Sequence, residues 1–372
     1  MQNNAHLYLL KKYQIEPKKS LKFESNKKLT LKIIENTSNK SMYWLSICSN
    51  PTLTLEMIEK FPNKPWIFGK NGISSNPSLK LEWIEKFPDK KWSFGRYGIS
   101  FNPALTIEML EKFPNANWAF DIYGLSGISG ISNNPALTVE MLEKFPNANW
   151  FFGKGGISSN PSLTVEMLKK FPNANWFFGE GGISSNPSLT IEMLEMFPDR
   201  AWSFPSISLN HSLTTKMVKK FPNKCWIGEY LSCNPALTLE IMKQLPDEIW
   251  NFGGMNESIS ENPALTVEML ETFSDEDWNW YKISSNPSLT IEMIEKFPDK
   301  DWNWGEISSN PNISIEFINK YIDNLCIYSL LNNKLTYVNK QLNEIVKNKI
   351  KLFYYLNFTK ISYDINRYSI SF

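Results

Sequence analysis

Asn286-Pro287-Ser288-Leu289-Thr290-Ile291-Glu292-Met293-Ile294-Glu295-Lys296-Phe297-Pro298-Asp299-Lys300-Asp301-Trp302-Asn303-Trp304-Gly305-Glu306-Ile307-Ser308-Ser309 is one copy of a unit that recurs along the chain. Asn-Pro returns at Pro51, Pro77, Pro103, Pro135, Pro161, Pro187, Pro235, Pro263, Pro287 and Pro311, with Asn210-His211 filling the one gap. Fifteen residues after each of these, until the last, stands a tryptophan: Trp66, Trp92, Trp118, Trp150, Trp176, Trp202, Trp226, Trp250, Trp278 and Trp302. The last copy carries Cys326 there. From tryptophan to the next Asn-Pro the spacing varies, so total periods run to 24, 26, 28 and 32 residues. Constant length marks a packed element and variable length a loop. Self-similarity at such a period is the signature of a solenoid.

The copy at 187–198 shows how the constant segment folds. Thr190 is an N-cap type, and Glu192 lies in the first turn, where the helix dipole favours a carboxylate. Leu189 and Leu194 have the spacing of a hydrophobic staple, and Pro198 stops the helix. Ile191, Met193, Leu194 and Phe197 cover most of the circumference, so this helix is expected to lie between neighbours. Two turns cannot stand alone in water, and stacking is obligatory. The second half, of the type Asp299 to Trp304, again begins with a capping residue. It predicts a short second helix or 3₁₀ turn, with a short strand as the alternative. Asn before Pro is biased out of the helical region and closes the unit.

The expected fold is therefore all-α: an α-solenoid of about eleven to twelve two-helix repeats of 24–32 residues, with degenerate terminal caps. Residues 1–25 read as a leader, 26–333 as the array, and 334–372 as a degenerate last repeat and C-terminal cap. Asn26-Lys27-Lys28-Leu29-Thr30 and Asn333-Lys334-Leu335-Thr336 are worn copies of the unit start. Atypical terminal units keep a stacking face from being left bare.

The motif of residues 286–309 resembles short tandem repeats common in hypothetical proteins of giant DNA viruses of amoebae, over about Asn26 to Asn333. That resemblance implies a viral repeat protein inside a host cell, with host cytoplasm as the expected location and virion association as a second one. It brings no activity with it.

Composition narrows the function classes. With 39 basic and 38 acidic residues the net charge is +1, which argues against a dedicated nucleic-acid surface. Cys48, Cys225, Cys233 and Cys326 form no CxxC pair, and two histidines complete no zinc spacing, so no metal or other cofactor is expected. Leu7 to Leu10 is too short for a signal sequence and no apolar run approaches the roughly 20 residues of a membrane span, so a soluble protein away from membranes is expected. His6 and His211 stand without catalytic partners. Glu108, Glu140, Glu166 and Glu192 occupy one repeat position and read as a solvated row. Gly153-Lys154-Gly155-Gly156 resembles a phosphate cradle only loosely, since the next copy carries Glu180 in place of Lys154. The chain is not expected to be an enzyme.

The tryptophans read as core because they keep register with the Phe and Ile positions. Residues that change while the frame is constant are free for a partner. They cluster after the tryptophan: Arg96, Tyr97, Asp121, Ile122, Tyr123, Phe151, Lys154, Phe177 and Glu180, with the enlarged 121–130 loop the leading candidate. The expected role is a non-enzymatic scaffold or adaptor presenting an extended repeat surface to a protein partner. A self-associating structural or virion component is the alternative, and nucleic-acid binding ranks below both.

Overall fold

A computed structural model describes residues 28–39, 43–120 and 130–333. Residues of the leader, of the C-terminal cap and of the 121–129 loop lie outside them. Among the described residues every regular element is a helix, and helix pairs repeat as an α-solenoid requires. The chain divides into two compact units, Met1–Phe177 and Phe178–Phe372.

Each repeat opens with a short helix, as in Val165–Lys170 of the first unit and Ile291–Lys296 of the second. Thr164 holds an extended backbone and its hydroxyl accepts the Met167 N–H at 3.2 Å, which satisfies a donor left free at the helix start. Leu189 and Leu194, the expected staple pair, are both buried, as are their counterparts Leu163 and Leu168. Thr190 has the same extended backbone, but its buried hydroxyl finds no partner among the described residues. The helix ends at Phe171, whose successor Pro172 cannot continue it. That stop leaves the Phe171 carbonyl open, and the Trp176 indole Nε1 donates to it at 2.8 Å. The interval from Phe to Trp places the indole within reach of this carbonyl, which also accepts the Ala174 N–H at 3.1 Å. It recurs at Trp66, Trp92, Trp118 and Trp150, then at Trp202, Trp226, Trp278 and Trp302. At Trp250 the preceding helix is cut to Leu239–Met242, and the buried indole N–H has no partner among the described residues.

The second half depends on loop length. Where the repeat has 24 residues it forms a true helix, such as Trp280–Ser285 or Trp304–Ser309. Longer repeats make a three-residue 3₁₀ turn, such as Ile157–Ser159 or Ile259–Glu261. No strand occurs among the described residues. The cap also differs from expectation: Asn303, not Asp299, starts the helix, and its Oδ1 accepts from Gly305 and Glu306 amides. Asp299 lies before the extended segment that carries Trp302, so it has no helix start to cap.

One hydrogen bond closes every version of this half. The carbonyl of the residue after the tryptophan accepts the N–H of the buried isoleucine: Asn303 from Ile307, Phe151 from Ile157, Asn251 from Ile259, and Ala119 from Ile131 across the longest insertion. Chain added between these two points leaves the frame untouched, in keeping with the slow growth of loop-closure cost with length.

Two ladders of buried polar side chains join successive repeats. In most copies the asparagine before the proline donates through Nδ2 to two backbone carbonyls of the preceding repeat, and Asn310 donates to one. Asn102 reaches Ser74 and Asn76 at 3.0 and 2.8 Å, and Asn286 reaches Ser260 and Asn262 at 2.9 and 3.0 Å. Its Oδ1 accepts an amide two residues on, fixing the turn that the proline begins. Two residues earlier a buried serine accepts an amide from the following repeat, as Ser158 does from Phe177 and Ser284 from Asn303. Buried polar atoms need such partners, and here one side chain satisfies backbone on both sides of a stacking plane. At the described start of the array Cys48 takes the serine position and its Sγ accepts the Ile67 N–H. At the other end Asn333 still reaches Ser308 and Asn310 although no proline follows it.

Candidate functional site

The recurrent polar positions are occupied by structure. The expected glutamate row sits at helix starts, where amide and hydroxyl donors hold Glu108, Glu140 and Glu268 below the usual carboxylate range. For Glu108 the Thr106 hydroxyl is the largest cause, and for the other two it is their own backbone N–H. A second row pairs across repeats: Lys86 with Glu59, Lys112 with Glu85 and Lys170 with Glu143 at 2.7–3.0 Å in the first unit. Lys220 pairs with Glu195 and Lys296 with Glu271 in the second. Where Lys219 and Lys243 replace the glutamate, the next repeat has Gln244 and Thr272 in place of lysine. The row thus avoids facing like charges, which marks it as a solvated contact between repeats.

The thiols divide by burial. Cys48 is pushed up to about 11 by desolvation, so it stays a neutral packing group. Cys326 is exposed and its thiol is lowered, chiefly by the Ser329 backbone hydrogen bond. Among the described residues no His, Cys, Asp and Glu cluster could hold a metal ion, and no helix is long and apolar enough to cross a membrane.

The ten tryptophans lie half-buried or buried along the stacks. Trp176, Trp226, Trp250 and Trp278 are the most enclosed. Most meet, edge to face, the aromatic ring two residues after the preceding repeat's tryptophan. Phe152 and Trp176 are 4.9 Å apart, and Trp280 and Trp302 are 5.0 Å apart. Such pairs add specific geometry to apolar burial. Gly228 leaves Trp250 without that ring.

The variable edge is exposed where it is described. In the first unit Arg96, Tyr97, Lys154 and Phe177 are exposed and Phe151 is half-buried, all on connections that follow the tryptophan. Asp121, Ile122 and Tyr123 fall outside the described residues, as does most of the leading candidate loop. Glu180, exposed, belongs to the second unit. Arg96 and Tyr97 come together, with the guanidinium 4.8 Å from the ring centre. Tyr97 has φ 59, at a position where later copies use Gly155 and Gly181. A bulky residue there is strained, and the preceding repeat holds it: Asn71 N–H and Ser75 Oγ both donate to the Tyr97 carbonyl. Lys154 lies beside Gly155, whose φ of 83 is that of a turn glycine.

Sequence reasoning missed a groove of about 730 Å³ in the second unit, lined by Asp277, Trp280, Tyr281, Asp301 and Trp304. Its signal was visible: Asp-Trp-Asn-Trp occurs at 277–280 and again at 301–304, whereas other copies have Phe or Gly as the fourth residue.

No protein-family model, curated protein or solved structure matches the chain.

Proposed function

We propose that the chain is a non-enzymatic protein-interaction scaffold or adaptor whose variable repeat edge is read by a protein partner. One contrast carries this reading. Most of the recurring Asn, Ser, Thr and Trp polar atoms are engaged with backbone, while the exposed groups of the edge change between copies, from Tyr97 and Lys154 to Glu180 and Tyr281. A frame spent on its own stacking and an edge free to vary suit recognition by surface. The cancelling Lys–Glu row argues against a nucleic-acid groove.

Self-association is the second reading, favoured by the near identity of 134–159 and 160–185, which would present one surface twice. The likeness of the repeat to those of giant DNA viruses of amoebae directs the search to infected amoebae, in the cytoplasm and in virions. Crosslinking of the tagged chain in such cells, followed by mass spectrometry, separates the readings. Crosslinks from the edge residues to distinct proteins support the scaffold. Crosslinks confined to copies of the chain support the structural component.

A further inference from the structure

We infer that the groove formed by Asp277, Trp280, Asp301 and Trp304 docks a basic protein segment, with an arginine or lysine side chain seated on the Trp304 indole and basic side chains paired with the Asp277 and Asp301 carboxylates. This rests on the scaffold reading and names the partner chemistry of one site within it.

The repeats supply their own template for the contact. The ring two residues after the repeat tryptophan receives, in several copies, a cation from the following repeat. Lys90 stands over Phe68 at 5.7 Å, Lys224 over Phe204 at 5.6 Å and Lys300 over Trp280 at 5.5 Å. In each case the cation lies two residues before the next tryptophan, which packs its edge against the same ring. At Trp304 both partners are replaced. The next repeat carries Asn324 and Cys326 at those two positions, and both are exposed. Tyr321 packs against the Trp304 indole at 5.5 Å, and no cation covers it among the described residues. Indole is the best ring for a cation, and Trp304 is only partly buried.

Charge points the same way. Residues 247–310 hold fourteen Asp and Glu against three Lys, in a chain whose net charge is +1. All three lysines are engaged: Lys282 holds the Gly254 and Met255 carbonyls, Lys296 pairs with Glu271 and Glu292, and Lys300 stands over Trp280. Asp277 and Asp301 are exposed, form no ion pair among the described residues and border the groove in consecutive repeats. A carboxylate beside an indole face suits a guanidinium, which can stack and form paired hydrogen bonds together. Two carboxylates in adjacent repeats favour a segment with more than one basic side chain, while Trp304 alone of the two indoles lacks a cation of its own among the described residues. An acidic or apolar segment would leave these carboxylates unpaired.

The test is fluorescence anisotropy of a labelled nona-arginine peptide with the full chain at physiological salt, with nona-glutamate as control. Trp304→Phe restores the residue common at this position and should keep the melting temperature while weakening binding several-fold. Asp277→Asn with Asp301→Asn should weaken it more than tenfold. Glu268→Gln with Glu292→Gln removes the same charge outside the groove and should change it less than twofold. Equal losses from the two double variants would reduce the effect to bulk charge and overturn the site, as would absent binding by the wild-type chain. Cellular crosslinking keeps the two readings apart. If the Asp277/Asp301 variant captures the same partners as wild type, the groove fails and the scaffold stands. If the wild-type chain captures only itself, the scaffold fails whatever the peptide does.

Discussion

Residues 134–160 in the first unit and 286–310 in the second perform the same stacking with different second halves. The longer copy turns through Gly155 and Gly156 into a 3₁₀ turn at Ile157–Ser159, whereas the shorter one runs from its Asn303 cap directly into the helix Trp304–Ser309. Both close on the same bond between the residue after tryptophan and the buried isoleucine, and both donate an asparagine amide to the repeat before. The difference teaches where freedom lies. Stacking needs only a few fixed points, and the chain between two of them can change length, helix type and surface.

The largest contrast should come from glycine. A Cβ on Gly156 would lie 2.0 Å from the Phe151 carbonyl oxygen, the acceptor that closes the second half. Gly156→Ala should therefore cost about 3 kcal/mol or more in denaturant unfolding, in line with other forced overpacking. Gly305→Ala meets only the movable Asn303 side chain, at 3.1 Å, and should stay within about 1 kcal/mol of wild type.

A smaller contrast separates two tryptophans of the second unit. Trp278 donates to the Phe273 carbonyl at 2.7 Å, while the buried Trp250 N–H is unpaired among the described residues. Trp278→Phe should lose about 1 kcal/mol more than Trp250→Phe, because only the first removes a made hydrogen bond. Equal losses would mean the indole bond is incidental to the fixed Phe-to-Trp interval.

Capping comes next. Asn303→Ala should cost about 1 kcal/mol, since two amides lose their acceptor at a helix start. Phe151, its counterpart in the long copy, precedes a turn and caps no helix, so the penalty belongs to short copies alone. The smallest effect is expected from the exposed ion-pair row. Lys112→Met should shift stability by less than about 0.5 kcal/mol and lose even that at high salt. A larger loss would promote the row from solvated contact to part of the frame.

Much of this frame was legible because its signals are local. Thr164, Leu163, Leu168 and Pro172 lie within one short segment, and their spacing alone predicts a capped, stapled and stopped helix. The asparagine ladder was not legible in the same way. Asn-Pro reads as a unit boundary, but the Asn286 amide works on carbonyls of residues 260 and 262, and no local pattern announces that reach. The identity of the second half was hidden for a related reason: a two-residue difference in connection length decides between Trp304–Ser309 and Ile157–Ser159. Variability between copies picked out Arg96, Tyr97 and Lys154, and all three are exposed. The groove at Trp280 and Trp304 was not legible in one copy, because it forms only where side chains of two repeats come together.

The most direct measurement is denaturant unfolding of Asn160→Ala and Asn286→Ala, with amide hydrogen exchange to place the loss. Each change removes two donors to preceding carbonyls and one acceptor of a following amide, in surroundings closed to water. At about 1 kcal/mol for each buried group left unmade, both variants should lose about 3 kcal/mol. Exchange should accelerate in the altered repeat and the one before it. A loss below about 1 kcal/mol, or a loss in only one of the two, would contradict the claim that one asparagine ladder stacks long and short repeats alike.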